Sequence, residues 1–341
     1  MTINKALQEE MKTGSKPLTG CEGFKEFSDD FHISNIQRIK DLEKIISRDG
    51  FSDQFSINFL TSNPNKILQF NKMVNNPSNF VQERLSSIIT LQPSLIEDID
   101  APEELSESFV ENSTEKARYY AKETNQTVLS EDSGFIIPFT DFNPGVVSAR
   151  FHETELGSKF LKYTMDAIQE VFSPKIVSDI KSNVNVHFLN NLATIGMVAS
   201  KMKEVKADEN YQFGYRSCSW GNDNFVNTGL LAYFITSAAI AEPDGTVTES
   251  CGILKGTFET YIIENIFGID HPYLRGNEEV MIRFLESSSH KFGYNPLLSI
   301  DRPNKKVSID DMFTQHRRNA INGTIIKYVE KHAILDKSPL L

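Results

Sequence analysis

Apolar residues follow two rhythms along this chain, one helical and one alternating. Ile36, Ile39, Leu42 and Ile45/Ile46 recur at helical spacing, which predicts one amphipathic helix in an otherwise polar extension over residues 1–54. Ser56–Leu60 reads as a short strand that runs through the polar turn Thr61–Lys66 into a helix over Ile67–Val74. Ile88–Leu91 predicts a second strand, and an acidic loop, Glu97–Glu107, leads to a helix of about 109–123 with Phe109, Ala117 and Tyr120 inward. Thr127–Ser130 is a third short strand, ending directly in Glu131-Asp132-Ser133-Gly134. A helix is expected over about 158–172, whereas 175–228 is less legible: an apolar segment around Leu189–Met202, then an aromatic, Gly-rich stretch over Tyr211–Phe225. Two strands, Leu230–Ala241 and Thr246–Leu254, meet at Pro243-Asp244-Gly245, a hairpin signal. A last helix over Ile309–Lys331 would take Ser308 as N-cap, with Asp310 and Asp311 in its first turn, where negative charge is favoured. Strand alternating with helix predicts an α/β fold.

Composition narrows the partners. Of the 341 residues, 39% are hydrophobic and 24% charged, enough for a real core without metal or disulfide staples. The net charge of −11 argues against a nucleic-acid binder, which needs a basic phosphate-tracking surface. It leaves room for a single triphosphate held by a few lysines and a metal ion. Cys21, Cys218 and Cys251 are far apart with no Cys-x-x-Cys, so a zinc ribbon or disulfide framework is not expected and a reducing cytoplasm fits. The first ten residues lack the apolar core of a signal peptide. The longest apolar stretch, Gly229–Ala241, is shorter than the ~20 residues a membrane span requires, so no membrane partner is expected.

The chain contains no Gly-x-x-x-x-Gly-Lys-Ser/Thr loop, Gly-x-Gly-x-x-Gly, His-Glu-x-x-His or Gly-x-Ser-x-Gly, which removes the commonest NTPase, dinucleotide, metalloprotease and serine-hydrolase readings. Four segments keep chemical interest. Thr61-Ser62-Asn63-Pro64-Asn65-Lys66 offers hydroxyls, an amide and a lysine at a strand-to-helix turn, where anions bind, although such residues also make ordinary turns. Glu103-Glu104 and Glu131-Asp132 place carboxylates on two segments, as Mg²⁺ requires, against the plainer reading of a solvated acidic loop for the first pair. Asp132 stands out because it follows a strand end, where α/β folds bind ligands. Lys291-Phe292-Gly293-Tyr294-Asn295-Pro296 could present a ring to a nucleobase or be a packed turn. His316-Arg317-Arg318 could donate to a carbonyl or phosphate oxygen or be a surface basic cluster.

In this order the segments resemble the inosine triphosphate pyrophosphatases. Phe109-Val110-Glu111-Asn112-Ser113-Thr114-Glu115-Lys116-Ala117-Arg118 is similar to that family's Phe-x-Glu-Asn-Ala-x-x-Lys-Ala-Arg helix. Ser130–Gly134 is similar to its Asp-Asp-Ser-Gly loop, and Pro144–Phe151 to its Pro-Gly-x-Tyr-Ser-Ala-Arg segment. Thr61–Lys66, Phe292–Pro296 and Gln315-His316-Arg317 resemble Thr-Gly-Asn-x-x-Lys, Phe-Gly-Tyr-Asp-Pro and Ser-His-Arg. The resemblance implies an ITPase-like fold: a central mixed twisted sheet with helices on both sides, forming two lobes around an active-site cleft. It spreads one catalytic domain over 55–341, with insertions near 175–228 and 262–288.

It also implies the roles. Such enzymes split purine triphosphates such as ITP, dITP or XTP into monophosphate and pyrophosphate with Mg²⁺, Mn²⁺ being the alternative ion. Thr61, Ser62, Asn63, Lys66, Ser133 and Gly134 would hold the nucleotide, with Lys116 as a second cation at the phosphates. Glu104 and Asp132 would bind metal, and Asp132 would alternatively activate water with Glu131 in support. Phe292, Gly293, Tyr294 and Asn295 would take the base, whose 6-oxo edge would meet His316 and Arg317. A homodimer is implied as well. Three departures fall on the base side: Asn295 replaces an acid, Asp311 a lysine and Gln315 a serine, with Lys305 or Lys306 as candidate replacement cations. Hydrolysis with altered base selectivity is therefore expected. The alternative is a nucleotide-binding or regulatory protein of weakened turnover, against which Glu104, Lys116 and Asp132 argue.

Overall fold

The computed structural model describes residues 40, 54–74, 85, 88–96, 99–104, 106, 108–141, 143–182, 185–206, 216–219, 226–269, 275–288, 298–299 and 315–335. The helix expected over 36–46 lies outside them save for Lys40, which is helical. The expected cap at Ser308, Asp310 and Asp311 lies outside them altogether.

In chain order the strands are β1 (Phe55–Thr61), β2 (Ile89–Leu95), β3 (Val128–Ile136), β4 (Pro144–Gly145), β5 (Arg216–Ser219), β6 (Val226–Ala241), β7 (Val247–Glu259) and β8 (Leu298–Ser299). The helices are α1 (Pro64–Val74), α2 (Phe109–Thr124), α3 (Glu155–Val171), α4 (Pro174–Ser182), α5 (Val186–Lys206), α6 (Tyr261–Phe267), α7 (Glu278–Ser288) and α8 (Gln315–Leu335). The strands form one mixed sheet in the order β2-β1-β3-β6-β7-β8, with β4 beside β3 and β5 beside β6. β1 pairs parallel with β2 and β3, whereas β4, β5 and β8 join antiparallel. The chain divides into two compact units, one of Met1–Ser133, Ile235–Leu254 and Ile309–Leu341, the other of Gly134–Phe234 and Lys255–Ser308.

In the first unit both faces of the sheet are covered, and strand alternation shows it directly. Ile57, Phe59, Leu129, Ala238 and Ile240 pack with Phe70 and Met73 of α1 and with Ala320, Ile321, Ile325 and Val329 of α8. Their neighbours Leu60, Val128, Ala239 and Ala241 point the other way, onto Ala117, Tyr120 and Ala121 of α2. Strands buried on both sides read as near-continuous apolar runs, as the sequence of β1 does. The hairpin between β6 and β7 forms as its Pro-Asp-Gly signal predicts: Glu242 N–H donates to Thr246 O, and Gly245 takes φ +88°.

Several boundaries differ from expectation. β3 does not end at Ser130 but runs to Ile136, so Glu131–Gly134 is strand, not loop. The apolar pattern breaks there because the partners of those side chains are ions. β2 extends through Pro93, which the sheet tolerates because β2 is its terminal strand. α1 starts at Pro64, whose fixed φ and missing N–H suit the first helical position.

In the second unit, α3 and α5 pack with a short 3₁₀ segment, Ser148–Glu153. Phe151, Ala193 and Met197 make its centre. Gly196 permits the close crossing, since a Cβ there would lie 2.4 Å from Phe160 O. α5 is buried on most of its surface, so its sequence shows no helical period. Among the described residues, no helix is long and apolar enough to cross a membrane.

Candidate active site

The chemistry gathers where the two packed faces of β3 run out of apolar residues. β1 and β3 pair at Phe59 and Leu129, and two residues further on stand Thr61 and Glu131. Alternation carries Glu131 and Ser133 to the face of α1 and α8, and Asp132 to the face of α2.

On the first face Glu131 is 2% exposed. Lys66 Nζ lies 2.9 Å from its Oε1, and Arg317 Nε lies 3.4 Å from the same oxygen. Arg317 also donates from Nη2 to Ser133 Oγ at 2.8 Å. Burial alone would raise the Glu131 pKa. The cations of Arg317, Lys66 and Lys116 outweigh it and hold the carboxyl down at about 2. Lys66 is placed by a tight turn. Asn63 N–H donates to Thr61 Oγ1, and Asn63 O accepts from Lys66 N–H as the helix opens. Arg317 and His316 are buried because α8 lies against β7 at Gly252, where a Cβ would fall 1.8 Å from His316 O.

On the second face Asp132 is 4% exposed and accepts a hydrogen bond from Asn112 Nδ2 at 3.1 Å. Lys116, four residues along α2 from Asn112 and so on the same helix face, pairs with Glu104. Asp132 has too little positive charge about it. Burial raises its pKa; Lys116 opposes and the nearby Glu104 reinforces, leaving it at about 6. For Lys116, burial lowers the pKa, but Asp132, Glu104 and Glu131 together prevail and raise it. α2 is fixed at both ends, by Ser108 accepting from Glu111 N–H and by Asn125 in the left-handed region. The two lysines converge on one acceptor, each donating to Glu131 O at 3.4 Å.

The structure thus brings together Thr61, Asn63, Lys66, Glu104, Lys116, Glu131, Asp132, Ser133, His316 and Arg317, all in one unit. Ser62 is exposed in the same turn. Gly134 is buried and opens the second unit. Phe292, Gly293, Tyr294 and Asn295 lie outside the described residues, as do Lys305, Lys306 and Asp311. Sequence reasoning gave no role to Asn112. Its side chain ties Asp132 to Ser106, donating to Ser106 O at 3.2 Å and accepting from Ser106 N–H. The signal was available in its four-residue spacing from Lys116.

Among the described residues no group of three or more His, Cys, Asp or Glu side chains could hold a metal ion by itself. Two carboxylates around Lys116 nevertheless fit Mg²⁺, which takes one or two of them and fills its shell with water and phosphate oxygens.

The fold is thus a mixed α/β sheet that carries a buried cation–carboxylate cluster inside β3, beside the end of β1. Residues 57–218 match the sequence model of the Ham1 family. A "dITP/XTP pyrophosphatase" of Protochlamydia amoebophila is 44% identical over 50 residues, 15% of this chain and 25% of that protein. One of Borrelia duttonii, of the same name, is 25% identical over 226 residues, 65% of this chain and 81% of that protein. The first match therefore spans only a quarter of its relative's length. Among solved structures, a HAM1 protein from Coxiella burnetii is similar at 16% identity and a TM-score of 0.41, covering 82% of this chain and 100% of that one.

Proposed function

We propose that this chain is a nucleoside triphosphate pyrophosphohydrolase that converts a purine triphosphate such as ITP, dITP or XTP, with water, to the monophosphate and pyrophosphate. One observation carries the reading. Two lysines from different elements converge on the carbonyl of Glu131, beside a carboxylate held at about pKa 6. Lys66 and Lys116 would neutralise the phosphate oxygens as charge shifts toward the leaving pyrophosphate. Asp132, with its pKa near neutral, would take a proton from the water that attacks the α-phosphorus, while Asn112 fixes its orientation. Glu104 and Asp132 would hold Mg²⁺, which when bound supplies further positive charge at the phosphates. His316 and Arg317 would meet the base edge, and Thr61 and Asn63 shape the turn that receives the phosphates. The names carried by the similar proteins support the substrate class. A homodimer belongs to the same proposal, tested by mass in solution.

The test is pyrophosphate release with Mg²⁺ over a panel of ITP, XTP, ATP, GTP and pyrimidine triphosphates. Turnover of at least one triphosphate is expected, with Asp132→Asn inactive. No release from the native chain on any of them would overturn the proposal. A clear preference for ITP and XTP would refute altered base selectivity.

A further inference from the structure

Glu131 is too deeply placed and too heavily paired to serve as a reacting group. It is almost completely buried, and its Oε2 has no hydrogen-bond partner among the described residues. Its Oε1 is shared by two cations that come from opposite ends of the sequence, Lys66 at the start of α1 and Arg317 at the start of α8. A buried ion pair is weak evidence for stability, since apolar replacements often do as well. The choice of cations is more telling. One is the ammonium that the proposed reading puts at the phosphates, and the other is the guanidinium it puts at the base.

We infer that Glu131 is a positioning residue that ties Arg317 to Lys66, so that a base seated against Arg317 fixes where the phosphate-holding ammonium stands. The consequence for function rests on the pyrophosphohydrolase reading; the tie itself does not. Arg317 has a second hold, its hydrogen bond to Ser133 Oγ two residues along the same face of β3. Lys66 likewise has a second hold, on Glu131 O. Each cation therefore keeps its place on the strand while the shared oxygen transmits a shift of one to the other. Base identity would then be read in kcat as well as in KM, because a misplaced ammonium slows the chemical step.

Two measurements on the full chain separate the tie from the reaction. The first is ligand-free urea unfolding of Lys66→Met, Arg317→Met and the double variant. Removing one cation leaves Glu131 compensated by the other, whereas removing both leaves the buried charge only Lys116, the weakest of its three cations. The double variant is expected to exceed the product of the single effects on the unfolding constant by about fivefold or more, and this excess should vanish in a Glu131→Gln background. Effects that multiply to within about twofold would overturn the tie, whether or not the Glu131→Gln chain folds. The second is steady-state kinetics of the native enzyme and of Glu131→Gln on ITP and ATP, with Glu131→Asp as the conservative variant. Glu131→Gln should lose about tenfold in kcat discrimination between the two bases while keeping its KM discrimination, with Glu131→Asp intermediate. Unchanged kcat discrimination would overturn the positioning role. No hydrolysis by the native chain, with a non-multiplicative unfolding cycle, would remove the proposed function and leave the tie.

Discussion

The two faces of β3 hold neighbouring carboxylates in opposite electrostatic states. Glu131 shares one oxygen between Lys66 and Arg317 and stays ionised down to about pH 2. Asp132, one residue on, has against its burial chiefly Lys116, already paired with Glu104, and more weakly Lys66, itself paired with Glu131, and takes its proton at about pH 6. Burial penalises both charges, so the number of cations per carboxylate decides the outcome. On the first face the carboxylate is saturated and therefore holds its cations in place rather than reacting. The second is short of positive charge and therefore ready for a proton or a cation, which is how acid–base roles separate within one site.

The largest expected effect breaks the second face. Asp132→Asn removes the proposed base and metal ligand together and should lower kcat by about 10³-fold, measured as pyrophosphate release. Glu131→Gln acts on the first face and should lower stability by about 3 kcal/mol in urea unfolding, because it leaves Lys66 and Arg317 facing a neutral amide. The isosteric change at Asp132 should have the opposite sign. The Asp132 pKa stands above its ordinary 3.8, so its contribution to stability is full below pH 3.8 and lost as pH rises through about 6. Without added metal at pH 8, Asp132→Asn should therefore be about 2 kcal/mol more stable than the native chain. The advantage should fade as pH falls through 6 toward 4. Glu131 behaves in the reverse sense: its stabilisation is present above its ordinary value of 4.5 and lost only as pH falls through about 2. A stability difference at Asp132 that does not change between pH 8 and pH 4 would contradict this contrast.

Much of this arrangement was legible before any coordinates. β1, α2, α3 and the β6–β7 hairpin have the periods that half-covered or sandwiched elements impose, and Thr61, Lys66, Lys116 and Asp132 sit in segments whose residue types suit phosphate and metal. What stayed hidden has a common cause: buried ions and all-round burial both erase the apolar rhythm. Glu131–Gly134 looked like a loop because its side chains meet charges. α5 showed no period because Ala193, Ile195, Met197 and Val198, which point to different sides of one helix, are all buried. Asn112 escaped notice because its work lies in a contact to Asp132, twenty residues away in sequence. Gly252 gave no local signal either, as its role is set by the approach of His316 O from another element.

The smallest expected effect tests whether the first face begins at the turn or at the strand. Thr61 is buried at the end of β1, and its hydroxyl accepts from Asn63 N–H at 3.1 Å. Asn63 O in turn receives Lys66 N–H, so the hydroxyl is the first link in the chain that places the ammonium. Thr61→Val keeps the shape and removes that acceptor, costing about 1 kcal/mol. Lys66 retains its ion pair to Glu131, so the ammonium should remain close to its place while the turn around it loosens. KM for the triphosphate should then rise about threefold with kcat nearly unchanged. A loss of kcat discrimination between ITP and ATP as large as that expected for Glu131→Gln would place the control of Lys66 in the turn and take it from the strand.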